Sequence, residues 1–286
     1  MFELHVLDIG HGQAVPVLLP NGSWCLMDAG ANAQLSPVSW MQARSGPFFH
    51  LLKATFSHLH NDHIRAWRPV LAASPSLFLR VNFDSEYLQD VQDSSFDPAD
   101  CEALHFAHAY HAGFGPAVVA PDYGGVLITE MSLPPSTARS ISGTANSRVN
   151  NASIITRLDC YGNSMLICGD MEQDGWEWVL QHSAFNADWR ALVSNIDVLV
   201  APHHGHSSAF SADLMNLARP RVVLVSVVGG DDSVDCRYSS AEFVSGITIN
   251  GDTYRCMTTR RYGSLGLRIS PPDTGSWIGR RTWLHF

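Results

Sequence analysis

Three histidines and one aspartate lie in one stretch of six residues, in the order H-x-H-x-D-H. They are His58, His60, Asp62 and His63. Alternate residues of an extended chain project to the same side, so His58 and His60 can face one point. Asp62 and His63 fall at the turn into a helix-like segment and can face a second point. Because zinc and similar divalent metals prefer imidazole and carboxylate ligands, the motif predicts a loop that holds two metal ions rather than a polar loop with scattered histidines.

Two later stretches carry further ligand-type residues directly after apolar strands. Asp170 follows the apolar run 163–168. A buried carboxylate without a partner is costly, so we expect this aspartate to serve the site. The apolar run 196–201 leads into a histidine pair, His203 and His204. One of the two is expected to be a metal ligand, and the other an alternative ligand or a proton donor.

The composition bounds the class of protein. The net charge of −9 argues against a surface that coats nucleic acid, but it leaves room for a local basic groove. Six cysteines without a C-x-x-C pair are expected to be reduced thiols of a cytoplasmic protein. Because the first residues form a strand-like segment, we expect no signal peptide. No apolar run reaches the roughly 18 residues of a membrane span, so we expect no membrane association.

The elements that position the ligands alternate between strands and helices within one predicted domain, 1–286. Its two halves, about 1–150 and 151–286, each lead from strands into a ligand-bearing loop before a helix. Strands are predicted at 2–8, 14–19, 23–28, 51–56, 77–82, 153–159, 163–168, 196–201 and 221–227, and helices at 62–73, 98–112, 171–181 and 209–218. The segment 132–146, rich in serine, threonine and proline, predicts a mobile loop. The acidic stretch 84–102 lacks lysine and arginine and is expected to be a solvated helix face.

These motifs resemble the metallo-β-lactamase superfamily of dinuclear metallohydrolases, and most closely the soluble hydrolase domain of ComEC, a DNA-uptake channel protein. The likeness extends over most of the chain. It is strongest in residues 7–14 with 28–30, 58–63, 150–153 and 203–205. The resemblance implies an α+β fold, a four-layer αββα sandwich in which two sheets pack face to face with helices outside. The pattern of strands and helices alone predicts only a mixed α and β protein.

The resemblance also implies a role for each ligand. Carried over residue by residue, it assigns as metal ligands His58, His60, Asp62, His63, Asp170 and His204. The first two histidines would hold one ion, Asp170 would bridge both ions, and the remaining three residues would hold the second. Asp28 would accept hydrogen bonds from ligands and fix their orientation. The third histidine that many superfamily members place near 150–153 is absent.

The predicted chemistry is hydrolysis at a pair of divalent ions, with Zn²⁺ favoured and Mn²⁺ the alternative. Two such ions about 3.5–4 Å apart can share a hydroxide of lowered pKa. Asp62 or His203 could move the proton. The likeness to ComEC favours a phosphodiesterase or nuclease that acts on DNA or RNA.

Substrate contacts are expected from both halves of the chain. Residues 253–286 contain six arginines and one acidic residue, so we expect Arg260 and Arg261 to contact phosphate. Asn151 and Ser153 are expected to contact the substrate as well. The net negative charge favours one alternative, a hydrolase of a small ester, lactone or phosphoester. The family's histidines near 150–153 and 237–240 are both missing, which favours another alternative, a non-hydrolytic metal-binding module in a defence or signalling complex.

Overall fold

Two β-sheets packed face to face form the centre of the protein, and helices cover their outer faces. The computed structural model describes residues 1–46, 49–74, 77–95, 101–115, 119–182, 184–228, 234–271 and 282–285. The ligand-type residues lie at the ends of strands in both sheets. The site therefore depends on how the two sheets are aligned.

The first sheet contains the segment that leads into the H-x-H-x-D-H motif. Its strands are β1 (Phe2–Val6), β2 (Ala14–Leu18), β3 (Trp24–Ala29), β4 (Leu51–Thr55), β5 (Phe78–Arg80), β14 (Leu265–Ile269) and β15 (Thr282–His285). Their order is β15-β14-β1-β2-β3-β4-β5. Strands β3, β4 and β5 are parallel, and the other neighbours are antiparallel. Parallel neighbours need crossover connections, and helices supply them here.

The second sheet carries the ligand-type residues of the second half. Its strands are β6 (Leu127–Ser132), β7 (Ile154–Cys160), β8 (Asn163–Ile167), β9 (Val198–Val200), β10 (Val222–Val225) and β13 (Cys256–Thr258). Their order is β13-β10-β9-β8-β7-β6. A separate hairpin joins β11 (Ile247–Ile249) to β12 (Asp252–Tyr254). Because β8, β9 and β10 are parallel, their carboxyl ends meet at one edge of the sheet.

The apolar residues alternate along the strands and divide the core into layers. On β3, Leu26 packs under the helices of the first sheet, whereas Met27 packs between the sheets. On β8, Leu166 packs under the helices of the second sheet, whereas Met165 packs between the sheets. Successive strand residues face opposite sides, so each sheet is covered twice. The predicted α+β class, a four-layer αββα sandwich, is confirmed.

The helices differ from the prediction in two places. The described helices are α1 (Pro37–Ser45), α2 (Asn61–Ile64), α3 (Trp67–Ala73), α4 (Ser85–Ser94), α5 (Glu102–Gly113), α6 (Pro135–Ile141), α7 (Ala145–Asn151), α8 (Gln173–Glu177), α9 (Asn186–Val193), α10 (Ala212–Ala218) and α11 (Thr259–Tyr262). The helix predicted at 62–73 is split because the N–H of Ala66 bonds to Ala29 of β3. The loop predicted at 132–146 holds α6 and the first two residues of α7. Pro135 occupies the first position of α6, and Thr144 is the N-cap of α7.

The acidic stretch is tied to the segment that was expected to be mobile. Asp90 of α4 is buried and forms ion pairs with Arg139 of α6 at 2.7 Å and with Arg148 of α7 at 3.2 Å. The interpretation of this stretch as a solvated face is therefore wrong at Asp90. No helix in the described ranges combines the length and the apolar character that a membrane span requires.

Candidate metal centre

The H-x-H-x-D-H segment begins in the loop after β4 and continues into α2, and other elements hold it in place. The N–H of Leu59 donates to the hydroxyl of Tyr87 on α4 at 2.9 Å. The carbonyl oxygen of Ser57 accepts from the N–H of Ile154 on β7 at 2.8 Å. One sheet and one helix outside the segment therefore fix its backbone. The side chains that follow are positioned before any ligand arrives.

A buried group of ligand atoms lies at the floor of the site and consists of His58, His63 and Asp170, with atoms within 4.8 Å of one another. His63 Nε2 lies 3.2 Å from Asp170 Oδ1, and His58 Nε2 lies 3.8 Å from Asp170 Oδ2. His60 adjoins this group, with its Nδ1 3.1 Å from His58 Nε2. The motif and the residue after β8 therefore meet, although they are more than 100 positions apart in the chain.

A second group lies nearer the surface and consists of His11, Asp62 and His204. His204 Nε2 is 3.3 Å and His11 Nε2 is 3.4 Å from Asp62 Oδ2. The two groups touch, because His63 Nε2 is 3.4 Å from His204 Nε2. His63 Nε2 also lies 3.8 Å from Asp62 Oδ2, so this histidine can serve either group.

Asp28, at the end of β3, orients the motif from behind. Its Oδ1 accepts from the N–H of Ser57 at 2.6 Å, and its Oδ2 accepts from the Ser57 hydroxyl at 2.8 Å and from Gln13 Nε2 at 2.9 Å. Oδ2 also lies 2.9 Å from His63 Nδ1. A hydrogen bond at Nδ1 leaves Nε2 of His63 to face the ligand cluster. Asp28 is fully buried and has a left-handed backbone, with φ 58°.

Asp170 reaches the motif because a glycine precedes it. Gly169 has φ 52°, and a Cβ at this residue would lie 2.7 Å from the Cβ of Ser57 and 2.9 Å from that of Ser153. The Ser153 hydroxyl accepts from the N–H of Asp170 at 3.0 Å and lies 3.4 Å from His58 Nδ1. Ser153 is fully buried and does not line the cleft. It contacts two ligand residues and helps to position them, and its role as a substrate contact stays a prediction.

The histidine pair after β9 has a strained backbone. His203 and His204 both adopt left-handed conformations, with φ 48° and 53°. Such conformations cost about 1–3 kcal/mol each and cluster at functional sites. His204 Nδ1 lies 3.0 Å from the carbonyl oxygen of Ser226, which turns its Nε2 toward Asp62. His203 lines the cleft, with its Nε2 3.9 Å from Asp170 Oδ2.

The charges of the cluster favour a cation. Burial opposes a charge on His63, but Asp170, Asp28 and Asp62 together raise the pKa of this imidazole well above its ordinary value. Burial likewise acts to raise the pKa of Asp170, yet His63 and His204 outweigh it and hold that pKa well below its ordinary range. Asp170 is therefore ionised, which is the form of a carboxylate that binds a divalent metal.

The donor set fits a divalent metal. Two nitrogens bound tetrahedrally to one zinc ion at about 2.0–2.1 Å would lie roughly 3.3 Å apart. The nitrogen pairs of the site, His58–His60 and His63–His204, are separated by 3.1 and 3.4 Å. Among the described residues, the buried Oδ1 of Asp170 has no hydrogen bond of good geometry. Because an orphaned buried oxygen is costly, a cation is its natural partner.

A cleft of about 510 Å³ opens above both groups, which is within the range of small-ligand pockets. The apolar part of its wall is formed by Leu59, Val91, Cys101 and Ala103, and the polar part by Asn61, Ser94, Ser95, Asn146 and the acidic Glu102. Arg65 is the one arginine or lysine among the lining residues that the structure describes. Among the residues that the structure describes, none forms a hydrogen bond or an ion pair with the guanidinium of Arg65, so this charge is available to a ligand.

Other predicted substrate contacts do not line this cleft. Asn151 is fully buried, donates from Nδ2 to Asp174 at 2.7 Å, and accepts from the N–H of Glu172 at 2.8 Å. It fixes the turn after Asp170, and its role as a substrate contact stays a prediction. Arg260 and Arg261 are exposed on α11 and do not belong to the cleft wall. Two further C-terminal arginines, at 280 and 281, lie outside the described residues.

Two residues of the site, His11 and Arg65, were missed from the sequence. His11 stands between Gly10 and Gly12 after β1, and a histidine flanked by glycines could have indicated a site. Arg65 follows Asp62 by three positions, the spacing that places two residues on the same side of a helix. Neither signal is specific, because glycine turns and surface arginines are common.

Comparisons with known proteins find distant similarities. No family model matches the chain. YcaI, an uncharacterized protein of Escherichia coli K12, is 24% identical over 236 residues, which cover 79% of this chain and 25% of that protein. The chain thus corresponds to about a quarter of the length of this relative.

The comparison with solved structures also finds distant matches, including these two. The metallo-β-lactamase fold protein YhfI of Bacillus subtilis is 14% identical with a TM-score of 0.49, and the match covers 89% of this chain and 99% of that one. The short form of human tRNase Z is 15% identical with a TM-score of 0.41, and the match covers 78% and 91% of the two chains. Similarity at this level concerns the fold and assigns no substrate to the chain.

Proposed function

We propose that the protein is a metal-dependent hydrolase that cleaves phosphodiesters, with DNA or RNA as the substrate class. One observation carries the proposal. Imidazole and carboxylate groups from four separate stretches converge in an open cleft, with ligand atoms within 4.8 Å of one another in each group. Such convergence of buried ionised carboxylates and histidines has no packing benefit of its own.

The ligand residues lie at two depths in the cleft. We assign two divalent ions to the site, Zn²⁺ in preference to Mn²⁺, held by His58, His60, Asp62, His63, Asp170 and His204. When bound, such ions polarise a phosphoryl oxygen and lower the pKa of water. Asp170 lies 3.8 Å from both His58 Nε2 and His204 Nε2, which suits a carboxylate shared by both ions.

His203 is the residue best placed to move a proton. Its Nδ1 lies 3.3 Å from the Ser208 hydroxyl, and its ring faces the cleft, so Nε2 can donate to a leaving oxygen. Asp62 was the other candidate. Its Oδ2 already contacts His11 and His204, which favours a role in metal binding over proton transfer.

The cleft wall supports an anionic substrate. The unengaged guanidinium of Arg65 can bind a phosphate through two parallel hydrogen bonds. The likeness of the motifs to the ComEC hydrolase domain supports nucleic acid in particular. Phosphodiesters carry one negative charge per linkage, so a single arginine beside two cations suffices to hold the scissile group.

The apolar side of the cleft favours a second candidate, a hydrolase of a small ester or lactone. Leu59, Val91 and Ala103 present hydrocarbon to the cavity. An acyl chain would bury apolar surface against them. This candidate uses the same metal ligands and differs only in the group that occupies the cleft.

The test of the proposed function is hydrolysis by the metal-loaded protein. We expect cleavage of bis(p-nitrophenyl) phosphate and of single-stranded DNA with Zn²⁺ or Mn²⁺, loss of both activities after chelation, and recovery when metal is restored. Hydrolysis of a lactone or aryl ester without phosphodiester cleavage would instead establish the second candidate. Tight metal binding without turnover of any of these substrates would favour the non-hydrolytic module.

Arg65→Ala is expected to weaken substrate binding without loss of metal. Loss of one charged hydrogen-bond donor set costs about 1.5–3 kcal/mol, so KM for bis(p-nitrophenyl) phosphate should rise about tenfold or more. The zinc content should stay at the wild-type value. Arg190→Ala, a change at an exposed arginine of α9, is the matched control. A KM unchanged by Arg65→Ala would remove this residue from substrate binding.

A further inference from the structure

We propose that His11 is a ligand of the metal ion held by Asp62 and His204, an inference that rests on the proposed function. His11 Nε2 lies 3.4 Å from Asp62 Oδ2. The ring centroids of His11 and His204 are 5.1 Å apart. The ligand atoms of the three residues lie within 4.8 Å of one another, so one cation can contact all three.

The turn that carries His11 is fixed against the site. Gly12 has φ 130°, and a Cβ at this residue would overlap the backbone carbonyl group of Asp62. Its own carbonyl oxygen accepts from the Ser226 hydroxyl at 2.6 Å. The N–H of Gln13 donates to the Asp62 carbonyl oxygen at 3.2 Å. These contacts hold the turn over Asp62, so the imidazole of His11 needs little ordering to bind a metal.

Exposure explains why His11 requires a metal to be effective. Its side chain is 68% exposed, and an exposed ion pair with Asp62 alone would contribute little to stability. The buried ligands lie beneath it, whereas His11 approaches from the mouth of the cleft. It therefore closes the side of the cation that would otherwise face solvent.

His11 also makes the two ligand groups equivalent in composition. Asp62, His204 and His11 supply one carboxylate and two imidazoles, and Asp170, His58 and His63 supply the same set. Three protein ligands with an open position are typical of catalytic zinc. With His11 in place, His63 is released to the buried group, where His60 Nδ1 lies 3.1 Å from His58 Nε2 and the Ser153 hydroxyl lies near His58 Nδ1.

Zinc affinity provides the test. The protein is stripped of metal and titrated with Zn²⁺ against a chromophoric chelator. Wild type is expected to bind two ions. In His11→Ala, the Kd of one ion should rise at least about tenfold, which is the lower end of what outer hydrogen-bond partners contribute. X-ray absorption of the zinc-loaded protein should show fewer imidazole nitrogens per ion in this variant.

Two further variants make the result specific. His11→Asp, which offers an oxygen ligand at the same place, should recover part of the lost affinity. His50→Ala, a change at an exposed histidine next to β4, should leave both affinities unchanged. Equal zinc affinities and equal imidazole counts in His11→Ala and wild type would overturn the inference and leave the proposed function standing. Failure of wild type to bind zinc or manganese would overturn both.

Discussion

Asp170→Asn is expected to remove metal from the protein and to lower kcat/KM on bis(p-nitrophenyl) phosphate by on the order of a thousandfold. Asp170 is 3.2 Å from His63 Nε2 and 3.8 Å from His58 Nε2 and His204 Nε2, so it faces both groups. Metal ions contribute several kcal/mol of transition-state stabilisation, and about 1.4 kcal/mol corresponds to a tenfold change in rate. Metal content by mass spectrometry and steady-state kinetics measure the two effects.

The amide keeps the volume and the N–H contact with Ser153, so the fold of Asp170→Asn should persist. Circular dichroism checks this point. Asp188→Asn, which changes an exposed aspartate in the first turn of α9, serves as the matched control for loss of one carboxylate. An Asp170→Asn protein that retains both ions and activity within tenfold of wild type would show that this carboxylate is not shared between ions.

Asp28→Ala is expected to lower the free energy of unfolding of the metal-free protein by about 3–5 kcal/mol, the usual cost of breaking a buried charged pair. The variant leaves the N–H and hydroxyl of Ser57, the amide of Gln13 and Nδ1 of His63 without their common acceptor. Because Asp28 also orients His63, metal affinity should fall about 10–100-fold. Urea denaturation and zinc titration measure these effects.

Asp28→Asn tests the effect of the negative charge separately from the effect of the left-handed backbone. Asparagine tolerates a left-handed φ and retains one oxygen acceptor, so we expect a smaller loss of stability and an intermediate loss of affinity. Asp8→Ala, a change at an exposed aspartate after β1, controls for the removal of a carboxylate. Equal stability of wild type and Asp28→Ala would mean that the other contacts of the loop suffice to orient it.

Strain and buried charge are concentrated at the proposed site. Asp28, His203 and His204 account for three of the left-handed residues other than glycine, and all three contact or adjoin the ligand cluster. The apolar residues of the three core layers stabilise the sandwich, and this stabilisation offsets the cost of the strain and buried charge. A bound cation would offset part of the electrostatic cost, so metal should also raise the midpoint of unfolding.

Several features of the protein were readable from the sequence because they are local. The alternation of apolar residues has the period of a strand and predicts which face of β3 or β8 is buried. The H-x-H-x-D-H motif, Asp170 and the pair His203 and His204 are recognisable from residue type, spacing and their position after apolar strands, whereas the choice of His204 as the ligand came from the family resemblance. These properties depend on a few neighbours in the chain.

Only the tertiary structure decided which residues share the site. One ligand group combines residues from three separate segments of the chain, namely His11, Asp62 and His204, and no sequence periodicity relates them. Asn151 and Ser153 occupy a motif position, yet packing against α8 and Gly169 buries them and makes them supports of the ligands. Arg65, rather than Arg260 or Arg261, faces the cleft because α2 borders the cavity and α11 does not. Residue types thus predict the chemistry that a segment can perform, whereas the alignment of the two sheets determines which segments perform it together.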